Sequence, residues 1–116
     1  MKKNDVPRAT DTARTLTDER FRNVASANQE WAIKAILNER KQQDKKWGIQ
    51  NHTPIVWSAV LTEECGEFAE AALRYRFNHA TPTTVRQLRE EAIQCAAVAL
   101  AIIECLERDE MGTGDE

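Results

Sequence analysis

Apolar residues recur along this chain at helical spacing, and no stretch alternates as a strand would. In the first long stretch Phe21, Val24, Ala25, Ala32, Ala35 and Ile36 fall on one stripe, interrupted by Asn28. Trp57, Val60, Leu61, Phe68, Ala71 and Tyr75 make a broad stripe in a second, and Leu88, Cys95, Ala99, Ile102 and Leu106 make one in a third. The segments "WGIQNHTP" (47–54) and "NHATPTT" (78–84) separate them as loops. Thr53–Pro54 and Thr81–Pro82 each put a hydroxyl at the N-cap and a proline at the first helical position, where its missing N–H is not needed. The pattern predicts an all-α fold, a helical bundle of three main helices at about 18–46, 54–77 and 82–108. Residues 15–108 are expected to form one domain between a flexible polar arm, 1–14, and a disordered acidic tail, 109–116.

The third helix also carries Ile93, Ala97 and Leu100 on the side opposite its main stripe. A helix apolar all round has to be covered all round. Two other helices of a small chain cannot do that, so a second subunit is expected to complete the bundle, as a homodimer or homotetramer.

Composition narrows the classes. The 116 residues carry a formal net charge of −3, which argues against a nucleic-acid polymer as partner. Cys65, Cys95 and Cys105 are odd in number and lack CxxC spacing, so reduced thiols in a cytoplasmic protein without a signal peptide are expected. The most apolar run, Ala92 to Leu106, contains Gln94 and Glu104 and falls short of the ~20 apolar residues of a membrane span.

Against this background the acids of "LTEECGEFAE" (61–70) stand out. At about 100° per residue, Glu64 lies in the middle of the second helix's apolar stripe, Glu67 at its edge, and Glu63 and Glu70 farther round the same flank. On the third helix Glu91 falls among Leu88, Cys95, Val98 and Ile102, with Gln94 three residues on. Two i, i+3 pairs of oxygen side chains thus emerge from apolar surroundings. An unpaired carboxylate there takes up a proton or finds a cation, and a hard ion such as Mg²⁺ suits an oxygen cage. Two alternatives stay open: a solvated acidic face, and Glu–Arg pairs with Arg74, Arg76 or Arg89. A di-iron centre is disfavoured because neither His52 nor His79 follows a Glu at the Glu-x-x-His spacing.

"LTEECGEFAEAAL" followed by "LREEAIQCAAVALAIIECL", with "QQDKKWGIQNH" upstream, resembles the small MazG-like nucleoside triphosphate pyrophosphohydrolases of the all-α NTP pyrophosphatase superfamily, over roughly residues 30 to 108. The family's EExxE and ExxD motifs fall on Glu63, Glu64 and Glu67, then on Glu91 and Gln94, where Gln replaces the family's Asp and removes one negative charge. The resemblance implies hydrolysis of a nucleoside triphosphate, a deoxynucleotide or an altered one included, to the monophosphate and pyrophosphate. Mg²⁺, with Mn²⁺ as substitute, would be held by Glu64, Glu67, Glu91 and Gln94, and Glu63 would orient or deprotonate the attacking water. For the nucleotide, Lys45 and Lys46 would meet phosphates, Trp47 would stack on a base, and Asn51 and His52 would hydrogen-bond base or sugar. Arg74, Arg76 and His79 could also reach phosphates. Singly, each has a plainer role: Lys45 and Lys46 as helix C-terminal charges, Trp47 as a core plug, His52 as a loop residue. The rival reading is a catalytically silent helical oligomerisation module with its acids in salt bridges.

Overall fold

The computed structural model describes residues 18–78 and 80–108, without the side chains of Asp18 and Phe21. The expected arm at 1–14, the tail at 109–116 and His79 lie outside the described residues. Three α-helices and no strand are found among the described residues: α1 (Asp18–Trp47), α2 (Pro54–Phe77) and α3 (Pro82–Arg108). The all-α fold predicted from the pattern is therefore observed, with boundaries within one residue of those expected. No helix among the described residues is long and apolar enough to cross a membrane.

The helix ends follow from their capping residues. Thr53 Oγ1 accepts from the Val56 amide at 3.4 Å, with Pro54 following it. Thr81 and Thr84 cap reciprocally: the Thr84 amide donates to Thr81 Oγ1 at 3.1 Å, and the Thr81 amide to Thr84 Oγ1 at 2.9 Å. This is a capping box with a hydroxyl in the place usually taken by Glu or Gln. Gly48 ends α1 at φ +76°, a left-handed conformation that favours glycine, and its amide donates to the Asp44 carbonyl at 2.8 Å.

The chain divides after Ile33 into two compact units. The first contributes the opening turns of α1, where Val24, Trp31 and Ile33 are exposed. The second, from Lys34 onward, holds the remainder of α1 with α2 and α3. Its cross-contacts run Arg74–Gln87, Glu64–Cys95 and His52–Cys105. These recede in step from the short 78–81 connection, so α2 and α3 form an antiparallel hairpin. Trp57, Ala101 and Cys105 make a buried cluster, with Val60 and Ile102 packed against it.

The buried line of α3 differs from the expected stripe. Ala97, placed by its phase on the opposite side, is fully buried together with Val98, Ala101 and Cys105, whereas Leu106 is 54% exposed. Small side chains permit close approach, so the contact line runs through the alanines rather than through the largest apolar residues. On α2, Trp57 and Ala71 are buried as the stripe predicts, while Phe68 and Tyr75 remain open on the single chain.

Candidate functional site

Glu64 and Glu67 are one helical turn apart on α2, and Glu91 sits on α3 between the Glu64–Cys95 and Arg74–Gln87 contacts. Helical spacing and antiparallel register together bring the three acids to one place. Each offers a carboxylate oxygen, and these oxygens all lie within 4.8 Å of one another. Glu64 Oε2 and Glu91 Oε1 are buried and have no hydrogen-bond partner among the described residues. Burial, followed by the charges of Glu67, Glu91 and Glu63, raises the Glu64 pKa from 4.5 to about 7. The Glu91 carboxyl is raised too, first by burial and then by the charge of Glu67, with Arg74 opposing.

These shifts set a stability profile. Below the ordinary carboxylate value of 4.5, Glu64 is protonated in folded and unfolded chains alike, and its contribution to stability is fully present. Between pH 4.5 and about 7 the unfolded chain releases a proton that the folded chain retains, so stability is lost as pH rises through that window. Glu91 acts in the same direction. Glu104, whose carboxyl is lowered by its hydrogen bond to Arg40, acts oppositely and at lower pH. Denaturant midpoints measured without divalent cation should accordingly fall from pH 5 to pH 7.5. A divalent cation competing with the retained proton should reverse that trend.

Beside Glu64 opens a cavity of about 200 Å³ lined by residues from all three helices and the 48–53 loop. Glu63 and Glu64 form one side, Trp47, His52 and Trp57 supply aromatic surface, and Arg40, Gln43 and Asp44 supply polar groups. Trp57 is 3% exposed, and its Nε1–H has no acceptor among the described residues. The His52 ring meets the Trp57 ring edge-on at 4.7 Å between centroids. The volume is below the ~300–1,000 Å³ of common small-molecule pockets, room for a base or sugar rather than a whole nucleotide.

The residues singled out from sequence fall into three groups. Glu64, Glu67 and Glu91 converge, and Glu63, Trp47 and His52 line the adjoining cavity. Gln94 is half-buried on α3, three residues beyond Glu91. The remaining residues are engaged or face outward. Lys45 and Lys46 are exposed and do not line the cavity, Lys46 lying over the Trp47 ring at 4.6 Å. Asn51 Oδ1 accepts from Arg108 Nε at 3.0 Å, which fixes the loop to the end of α3. Arg74 donates to Gln87 Oε1 at 3.3 Å and lies 3.7 Å from Glu70.

Arg40 was not among the residues singled out. It is 7% exposed, and its guanidinium forks onto Glu104, Nε to Oε2 at 3.0 Å and Nη2 to Oε1 at 2.6 Å. Further bonds run to Gln43 at 3.1 Å and to Asp44 at 3.3 Å. One signal was available: Glu104 interrupts the most apolar run in the chain and so required a cation from elsewhere. The apolar stripe accounts for the burial of Trp57, whereas its unpartnered N–H on the cavity wall is a property that helical phase does not carry.

Comparison with known proteins adds no relative, since no family model, curated sequence or solved structure matches this chain. The fold and site define an all-α protein with a three-carboxylate cluster beside an aromatic-lined cavity.

Proposed function

We propose that the chain is a divalent-cation-dependent nucleoside triphosphate pyrophosphohydrolase of the MazG-like kind, releasing a nucleoside monophosphate and pyrophosphate. The observation that carries this reading is the pair of buried, unpartnered oxygens, Glu64 Oε2 and Glu91 Oε1, within a cluster of three carboxylates. Such oxygens are costly without a cation or a proton, and their donor set is the hard-oxygen kind that Mg²⁺ or Mn²⁺ accepts. Glu64, Glu67 and Glu91 would hold the ion, with the half-buried Gln94 near enough in sequence to add a carbonyl oxygen or bind through water. When bound, the ion supplies charge neutralisation for phosphate oxygens and orients water.

The chain's own groups do the rest. Glu63, exposed on the cavity wall next to the cluster, accepts the proton of the attacking water. Trp47 and His52 offer ring faces and edges to a base or sugar, and Trp57 Nε1–H offers a donor to an acceptor atom of the bound group. Lys45, Lys46 and Arg74 would meet phosphates only by reaching from outside the cavity. Exposed Leu73, Phe77, Ile103 and Leu106 support assembly with a second copy, and the three free thiols suit the cytoplasm.

The rival, a silent assembly module whose acids form salt bridges, meets an obstacle in the same two oxygens, which have no hydrogen-bond partner among the described residues. Incubating the chain with a panel of ribo- and deoxyribonucleoside triphosphates and Mg²⁺ separates the two. Release of monophosphate with pyrophosphate is expected; no turnover across the panel together with no Mg²⁺ binding would leave the module.

A further inference from the structure

Cys65 follows Glu64 directly in α2, and Cys95 lies one turn beyond Glu91 in α3. Cys95 Sγ donates to the Glu64 carbonyl at 3.3 Å, which sets that sulfur against the peptide joining Glu64 to Cys65. The Cys95 thiol is pushed up first by burial and then by the neighbouring Cys65 thiol. Cys65 is exposed, Cys95 half-buried, and Cys105 buried at 1% exposure with its Sγ donating to the His52 carbonyl at 3.8 Å. The molecule thus has one thiol that an oxidant can reach, a second within reach of the first, and a third apart from both.

We infer that Cys65 and Cys95 form an oxidisable dithiol, a modification site that closes to an intramolecular disulfide between α2 and α3 beside the carboxylate cluster. A peroxide is the oxidant. Its O–O bond breaks as a bond forms to Cys65 Sγ, giving the sulfenic acid and one water. Cys95 Sγ then attacks that sulfur, the S–S bond forms as the S–O bond breaks, and the departing hydroxide takes up the Cys95 proton as a second water. Two thiols are oxidised and one peroxide is reduced to two waters.

Closure has a consequence for the neighbouring acids. The two sulfurs must draw together to the ~2.05 Å of a disulfide, and Cys95 loses the S–H that it donates to the Glu64 carbonyl. Glu64 and Glu67 flank Cys65 on one helix, while Glu91 shares the other with Cys95, so contraction shifts the two halves of the cluster relative to each other. A Mg²⁺ site demands near-octahedral geometry. Oxidation is therefore expected to weaken cation binding, a coupling that rests on the cation reading proposed above.

The test treats the full chain with hydrogen peroxide and maps its peptides without reduction. A linked Cys65–Cys95 peptide, two hydrogens lighter, reversed by dithiothreitol and absent from Cys65→Ser, is expected, with Cys105 still free. Cys65 oxidised to the sulfinic acid while Cys95 stays a thiol, or linkage only between two chains through Cys65, would overturn the assignment. Mg²⁺ titration of the reduced and oxidised chains by calorimetry reads the coupling, with weaker binding to the oxidised form expected and equal binding overturning it. Failure of the reduced chain to bind Mg²⁺ at all would count against the cation reading and leave the peptide map to decide the dithiol.

Discussion

Glu64→Gln should reduce turnover by at least ~100-fold, given that a bound metal supplies several kcal/mol of transition-state stabilisation and each ~1.4 kcal/mol is tenfold in rate. The same substitution should leave the helices intact and make the cation-free chain more stable above pH 7. Gln preserves the shape of Glu64 but removes a charge that burial, Glu67, Glu91 and Glu63 all disfavour. This opposite movement of activity and stability distinguishes a cation ligand from a structural ion pair, whose loss lowers both. Circular dichroism, denaturant midpoints at pH 7.5 and a pyrophosphate-release assay read the three quantities. A variant that is destabilised would mean that Glu64 has a cationic partner in the folded chain.

Arg40→Ala should clearly destabilise the fold. Removing one partner of a buried pair costs roughly 3–5 kcal/mol. The Glu104 side chain is 36% exposed, so water recovers part of that charge and about 2 kcal/mol is the expected loss. Arg40→Lys should not restore it, because an ammonium cannot reproduce the two-pronged contact with Glu104 or the side bonds to Gln43 and Asp44. Guanidinium denaturation measures the difference. A change below about 0.5 kcal/mol, the range of ordinary surface substitutions, would mean that the fork contributes little. Arg40 also lines the cavity, so any residual activity of Arg40→Lys should show a raised KM before a lowered kcat.

The helices were legible because their signals are local. Thr-Pro at 53–54 and 81–82 marks two starts, Gly48 marks an end, and helical periodicity fills the interior. The convergence of Glu64 with Glu91 was legible for a different reason: an acid at the centre of an apolar stripe implies a special environment, and two such acids on neighbouring helices imply a shared one. Ala97 was misplaced because hydrophobic phase weights large side chains, while close helix packing here selects small ones. Arg40 was missed because its partner is 64 positions away in sequence, a separation that no local pattern encodes. The cavity residues divide similarly. Trp47 ends α1 and His52 sits in the conspicuous loop that follows, whereas the unpartnered Trp57 N–H depends on which atoms surround it.

The most direct test of the proposed reaction is hydrolysis of a nucleoside triphosphate by the Mg²⁺-loaded chain in water enriched in heavy oxygen, with the products separated by mass spectrometry. Attack at the α-phosphorus by a water positioned beside Glu63 places the heavy atom in the nucleoside monophosphate and leaves pyrophosphate unlabelled. Label in pyrophosphate, or release of inorganic phosphate with the nucleoside diphosphate, would contradict the account.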